Sequence, residues 1–188
     1  MEEIRIYFEQ HYGISSSDWT VFSSKLRQKD FKKKETLLDV GQVENYLSYV
    51  QRGIIRQYIP LENVDLTFGF VFGGSFVSGY DSFLLQKPSE YRLEALTEGV
   101  LWQLSYHDLQ EVYKSSRIGN FIGRRASEEL YLKKSKREIS LLQDSAEERY
   151  LKLFEERPEL LREIPLKYIA SYIGVTPQAL SRIRRRIS

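Results

Sequence analysis

The sequence predicts an α+β chain: a small antiparallel β-roll, a long helix, then a compact helical domain ending in a helix–turn–helix pair. Three observations predict it. Gly41, Gly53, Gly69, Gly73, Gly74, Gly79 and Gly99 punctuate short runs rich in β-branched and aromatic residues. A proline-free stretch over about residues 116–142 is dense in Glu, Lys, Arg and Leu. Two short amphipathic segments, separated by Gly174, close the chain.

The 188 residues, 41% hydrophobic and 29% charged, suffice for one ordinary domain or two small ones with a buried core. No apolar run approaches the roughly 18 residues that span a bilayer. The opening "MEEIRIYFEQ" is acidic and interrupted, unlike a signal peptide. A cytoplasmic protein without a membrane partner is expected. The absence of cysteine excludes disulfides, thiolate zinc sites, cysteine-ligated iron–sulfur clusters and cysteine nucleophiles. His11 and His107 stand far apart without a set of carboxylates, so no metal site is expected. No nucleophile–base pair or Gly-rich nucleotide loop is found, and no catalytic residue is assigned; the chain does not read as an enzyme.

Residues 1 to about 30 read as short helices, with "SSSDW" capping a segment that carries Trp19, Phe22 and Leu26. "KDFKKKE" reads as a solvated basic loop. The β-roll runs from Thr36 to about Ser105, with strands in "YLSYVQRGIIRQYI" (46–59), "DLTFGFVF" (65–72) and "GVLWQLS" (99–105). Helical character returns at "SYHDLQEVY", where His107 is a surface residue at the helix start.

On the long helix, Ile118, Ile122, Ala126 and Leu130 recur every fourth residue beside Phe121, and Gly119 and Gly123 would let another helix approach closely. That stripe packs either on the chain's own β-domain or, most simply, on a twin helix from a second subunit. Asp144 or Ser145 caps the next helix and Pro158 ends it. The expected division is 1–115, 116–142 and 143–188.

Charge is uneven. Residues 165–188 hold five basic residues and no acid, leaving 23 basic against all 26 acidic residues elsewhere. Such a module suits an anionic partner. Leu166, Ile169, Ala170 and Ile173 form the apolar side of its first helix, and Gly174 makes the turn. Thr176 caps the second helix and Pro177 opens it. Leu180, Ile183 and Ile187 face inward, while Gln178, Ser181, Arg182 and Arg185 face outward. Gln, Ser and Arg are side chains that read base edges in the major groove of double-stranded DNA. Lys167, Arg184 and Arg186 are assigned to phosphates.

"IASYIGVTPQALSRIRR" resembles the helix-turn-helix of the Crp/Fnr family of bacterial transcription regulators, with Thr176, Pro177, Gln178, Ser181 and Arg182 at the pattern positions. "LLDVGQVENYLSYVQRGIIRQY" resembles the family's cupin-like, cyclic-nucleotide-binding-like β-roll, and "EALTEGVLWQLSYHDLQEVY" its last strands and following helix. The resemblance implies a homodimer on a two-fold operator, recognition helices about one DNA turn apart, and contact with RNA polymerase.

The nucleotide-sensing pattern is degenerate. The family's cassette has a Gly-Glu pair for the ribose and an Arg followed by Ser or Ala for the cyclic phosphate. Gly74 remains, but Ser75 stands in place of the Glu, beside Phe76. Anchoring on "RLEALTEG" puts Ser89 and Glu90 at the phosphate position, followed by Tyr91 and Arg92. Strand alternation sets Arg92 at another depth or face. This argues against cyclic AMP and leaves room for an unknown small-molecule effector. "RPELLREIP" is also short for the β-hairpin wing of many relatives. The alternative reading is a cyclic-nucleotide or other small-molecule sensor whose terminal helices meet a protein partner.

Overall fold

The computed structural model describes every residue except Ser116 and Ser188, together with all side chains but those of Ser115, Arg117 and Ile118. The chain divides into two compact units, Met1–Tyr58 with Gly69–Ala126, and Ile59–Phe68 with Ser127–Ser188.

The first unit opens with α1 (Glu2–Tyr12) and α2 (Ser16–Lys25). Ser15 caps α2 in a reciprocal box with Asp18. Eight strands follow: β1 (Arg27–Phe31), β2 (Thr36–Leu38), β3 (Tyr46–Arg52), β4 (Ile54–Ile59), β5 (Leu66–Phe72), β6 (Ser75–Val77), β7 (Arg92–Ala95) and β8 (Gly99–Ser105). A short helix α3 (Tyr80–Leu85) interrupts them, and α4 (Tyr106–Ser115) follows them.

The strands form two four-stranded sheets, ordered β1-β8-β3-β6 and β2-β7-β4-β5. Phe31, Val50, Val77 and Leu101 from the first sheet meet Leu38, Ile55, Leu93 and Ala95 from the second in a buried core. Alternation then dictates the other face of the first sheet. Tyr49 and Leu104 point there, into a cluster with Ile4, Phe8, Tyr12, Leu26, Phe83 and Leu109. The fold is thus the expected α+β roll.

"KDFKKKE" departs from expectation. Its first three residues end β1, with Asp30 opposite Val100 and Phe31 opposite Gly99 on β8. Burial of Phe31 and the ladder with β8 outweigh the low strand propensity of the charged neighbours.

Helix α5 (Arg117–Gln143) is 27 residues long. Residue 116, where the sequence places its start, lies outside the described residues, as does the side chain of Ile118.

The second unit adds α6 (Ala146–Glu156), α7 (Pro158–Glu163), α8 (Leu166–Tyr172) and α9 (Pro177–Ile187). Of the two candidate caps for α6, Ser145 takes the role, in a box with Glu148. Pro158 does more than end α6, because it is also the first residue of α7. "RPELLREIP" is therefore largely helical, and no strand occurs among the described residues after α5. Tyr150, Leu153, Leu160, Ile164, Ile169, Ala170, Ile173, Leu180 and Ile183 are its buried hydrophobic residues among those described. The segment Ile59–Phe68 joins this unit through Ser171, whose hydroxyl donates to Asp65 O at 2.6 Å and accepts from Thr67 N at 2.8 Å. No helix among the described residues is long and apolar enough to cross a membrane.

Candidate nucleic-acid interface

Helix α8 ends where Gly174 takes φ +78, a left-handed conformation that costs a side-chain-bearing residue about 1 kcal/mol or more. The chain then reverses into α9. Thr176 Oγ1 accepts from Ala179 N at 3.2 Å, satisfying one free donor of the first turn, and Pro177 occupies the first helical position.

Leu180 and Ile183 bury one side of α9. At about 100° per residue, Gln178, Ser181, Arg182 and Arg185 share an arc of about 100° on the opposite side. All four are exposed. Arg184 and Arg186 fall on the two flanks of that arc and are exposed as well. Lys167, near the start of α8, is exposed, with its ammonium 4.8 Å from the Tyr168 ring centroid. The nine residues singled out in the sequence thus sit on α8, α9 and the α9 cap.

Two arginines hold the turn from behind, and sequence reasoning missed both. Arg137 Nη2, from α5, donates to Tyr172 O at 2.8 Å, and its guanidinium lies 4.0 Å from the Tyr172 ring centroid. Arg149 Nε, from α6, donates to Ile173 O at 2.8 Å. Both accepting carbonyls lie at the C-terminal end of α8, where the helix itself leaves them unpaired. Burial lowers the Arg137 pKa, so its charge is held against a desolvation cost. Contacts 35 and 24 residues apart leave no local signal in "KKSKREIS" or "EERYL".

A groove of about 530 Å³ runs beside α9, lined by Ala146, Val175, Ala179 and Ile183 with Arg182, Arg185 and Arg186. Arg186 Nη2 is paired with Glu147 Oε2, in the first turn of α6, at 2.7 Å.

The stripe expected on α5 is divided. Ile122 packs against the aromatic core of the first unit. The helix that approaches Gly119 and Gly123 is α4 of the same chain. A Cβ on Gly119 would lie 2.9 Å from Val112 O, and one on Gly123 2.7 Å from Tyr113 Oη. Ala126 is exposed and Leu130 half-buried. A different set, Phe121, Leu132, Ile139 and Leu142, is exposed along the helix. These fall in the series 121, 125, 128, 132, 135, 139, 142, which alternates steps of four and three.

In the first unit, Gly74 takes φ +88 in the turn between β5 and β6 and donates to Val50 O. Ser75 and Phe76 lie on β6, opposite Val50 and Tyr49. The Phe76 ring belongs to the aromatic cluster, 5.2 Å from Tyr49 and 5.7 Å from Phe8. Helix α3 begins after Gly79, whose N–H donates to Glu44 Oε2 at 3.2 Å, while Tyr46 N donates to Glu44 Oε1 at 2.9 Å. Burial raises the Glu44 pKa despite these bonds.

Ser89 is buried and committed to backbone: its hydroxyl donates to Tyr91 O, and its N–H donates to Gln42 O. Glu90 is exposed, and the Tyr91 hydroxyl donates to Asp81. Arg92 adjoins the core residue Leu93 and so faces away from the roll interior. Its Nε and Nη2 bind Asp39 Oδ1 at 2.8 and 2.6 Å, and Nη1 donates to the Tyr58 hydroxyl at 3.3 Å. His107, Asp108 and Glu111 cluster on α4, where Lys25 Nζ sits 3.3 Å from Asp108 and 2.6 Å from Glu111, filling the cluster with a cation of the chain's own.

Residues 28–116, the roll with α4, match the family model described as "Cyclic nucleotide-binding domain". No curated protein matches the whole sequence significantly. Among solved structures, a protein from Eubacterium rectale described as a "transcriptional regulator of the crp/fnr family" aligns at TM-score 0.72 and 16% identity, over 93% of this chain and 84% of that one. The c-di-GMP responsive global regulator CLP of Xanthomonas campestris aligns at 0.70 and 19%, over 92% and 91%. The catabolite activator protein of Thermus thermophilus aligns at 0.59 and 18%, over 94% and 84%. The chain accordingly has a β-roll similar to the cyclic-nucleotide-binding domain and a fold similar to that of these Crp/Fnr-type structures.

Proposed function

We propose that this chain is a sequence-specific DNA-binding transcription regulator of the Crp/Fnr type, working as a homodimer on a two-fold operator. The observation that carries this reading is the division of α9: Leu180 and Ile183 inward, Gln178, Ser181, Arg182 and Arg185 outward on one arc. Gln178 suits the N6/N7 edge of adenine, and Arg182 and Arg185 suit the O6/N7 edge of guanine. Lys167, Thr176 and Pro177 set the entry of the helix, and Arg184 and Arg186 meet phosphates on either side. Residues 1–115 serve as the effector-type domain, 116–142 as the dimer helix and 143–188 as the DNA-binding domain.

The second subunit covers the exposed residues Phe121, Leu132, Ile139 and Leu142 on α5, which share one heptad stripe with the polar Arg125, Glu128 and Ser135 and fit the seam of a two-stranded coiled coil. Gly119, Ile122, Gly123, Ala126 and Leu130 then flank that seam or face the chain's own unit. RNA polymerase is the further partner that this type implies. The reading involves no catalytic step and no metal.

Cyclic AMP is not its effector in the usual manner. Glu90 would repel a phosphate, and Arg92 is committed to Asp39 and Tyr58. A different small molecule is left as the effector of the first unit. The testing experiment is selection of bound sequences from random DNA by the purified protein. Enrichment of a palindrome is expected; its absence in both the presence and absence of cell metabolites overturns the reading.

The match of residues 28–116 to the cyclic-nucleotide family favours one second reading, a nucleotide sensor with a protein partner. It requires calorimetric heat of binding with cyclic AMP or cyclic GMP and no selected operator.

A further inference from the structure

The arginines of α9 are not in equivalent states. Arg186 pairs with Glu147 at 2.7 Å, whereas no carboxylate of the described residues pairs with Arg182 or Arg185. Glu147 comes from the first turn of α6, next to Ala146, and its partner Arg186 lines the groove with Ala146, Val175, Ala179 and Ile183. The pair is solvent-exposed, with the Arg186 side chain 65% and the Glu147 side chain 37% accessible. An exposed pair of this kind is weak and exchangeable. A DNA phosphate offers the guanidinium the same bidentate acceptor geometry as a carboxylate, and releases counterions on binding.

We infer that Glu147 is an internal competitor for the DNA backbone: it holds Arg186 in the free protein and yields it to a phosphate in the complex. The inference rests on the DNA-binding reading proposed above. Breaking the pair offsets part of the phosphate contact, so Glu147 lowers affinity for all DNA sequences alike and leaves base discrimination to Arg182 and Arg185. Because residues 165–188 contain no acid, this restraint has to come from another helix, and α6 supplies it.

A double-mutant cycle tests it on full-length protein with Glu147→Gln, Arg186→Gln and the double variant, using the selected operator and random-sequence DNA at several salt concentrations. Glu147→Gln is expected to tighten binding about two- to fivefold on both DNAs, the fold-change equivalent of an exposed ion pair. It should also steepen the slope of log K against log salt by up to about 0.9, one phosphate. In the Arg186→Gln background the gain should vanish. If the gain persists there, Glu147 acts by through-space repulsion within the Debye length of about 8 Å, and the competitor role is wrong. Unchanged or weaker binding by Glu147→Gln, as a residue that orients Arg186 would give, also overturns it. Failure of the wild-type protein to bind any DNA overturns the DNA-binding reading itself and the competitor role with it.

Discussion

Arg137 and Tyr172 meet twice: the guanidinium donates to the Tyr172 carbonyl at 2.8 Å and lies 4.0 Å from the centre of its ring. One side chain from α5 thus fixes both the backbone end and the aromatic ring of α8, one residue before Ile173 and two before the turn glycine. Arg137→Met removes the donor from a half-buried carbonyl, at a cost of about 1–3 kcal/mol. Urea denaturation should show that loss. The ratio of operator to random-DNA affinity should fall more than random-DNA binding itself, because base contacts need the helix held in register and phosphate contacts do so less.

Arg182 and Arg186 should separate in kind. Arg182→Ala is expected to relax preference at one base position by about 1–3 kcal/mol. Arg186→Ala should weaken all sequences alike and flatten the salt slope by about 0.9. Competition binding with singly substituted operators measures both effects, and equal behaviour of the two variants would refute the division of labour.

Leu132 and Ile122 lie on the same helix with different obligations. Leu132 is 66% exposed, and Ile122 packs against the aromatic core of the first unit. Leu132→Lys should shift the molecule from dimer to monomer in sedimentation analysis, weakening association at least tenfold, with little change in the secondary-structure signal. Ile122→Ala should instead cost about 2 kcal/mol of folding stability.

The Glu44 carboxyl gives the roll a pH signature. Its folded pKa is raised by burial, so the native state holds its proton more tightly than the unfolded chain. That contribution is complete below the ordinary carboxylate value and is lost as pH rises through the raised one. Glu44→Gln replaces one of the two accepting oxygens with an NH2 that faces the N–H of Tyr46 or Gly79, and should destabilise the protein. Its stability should also vary less than that of the wild type as pH rises above the ordinary carboxylate range, as denaturation at stepped pH would read. A parallel pH dependence for the two proteins would rule Glu44 out as the source.

Local chemistry made much of this molecule legible. "YLSYVQRGIIRQYI" announced β3, the turn at Gly53 and β4, and Pro165, Gly174, Thr176 and Pro177 bracketed α8 and α9. Those signals act within a few residues. What stayed hidden depends on distant partners. Strand β1 is charged, and becomes a strand because β8 lies beside it. Gly119 and Gly123 do admit a close helix, but the helix they admit within this chain is α4, a choice that spacing cannot disclose. Arg137, Arg149 and Glu147 look like any surface charges until the turn and α9 are brought against them. The face of α9 was readable because one helix fixes it alone.

The bond from Ser171 to Asp65 and Thr67 bears on how the chain can be cut. The second unit is not a contiguous stretch of the gene product, since Ile59–Phe68 is inserted into it from the middle of the roll. A fragment beginning at Ser127 would keep α6 to α9 and the C-terminal part of α5 yet leave the Ser171 hydroxyl without either partner. Modularity here is spatial rather than sequential: the second unit takes ten residues, Ile59–Phe68, from the middle of the roll's sequence, and any cut along α5 parts them from the rest of that unit.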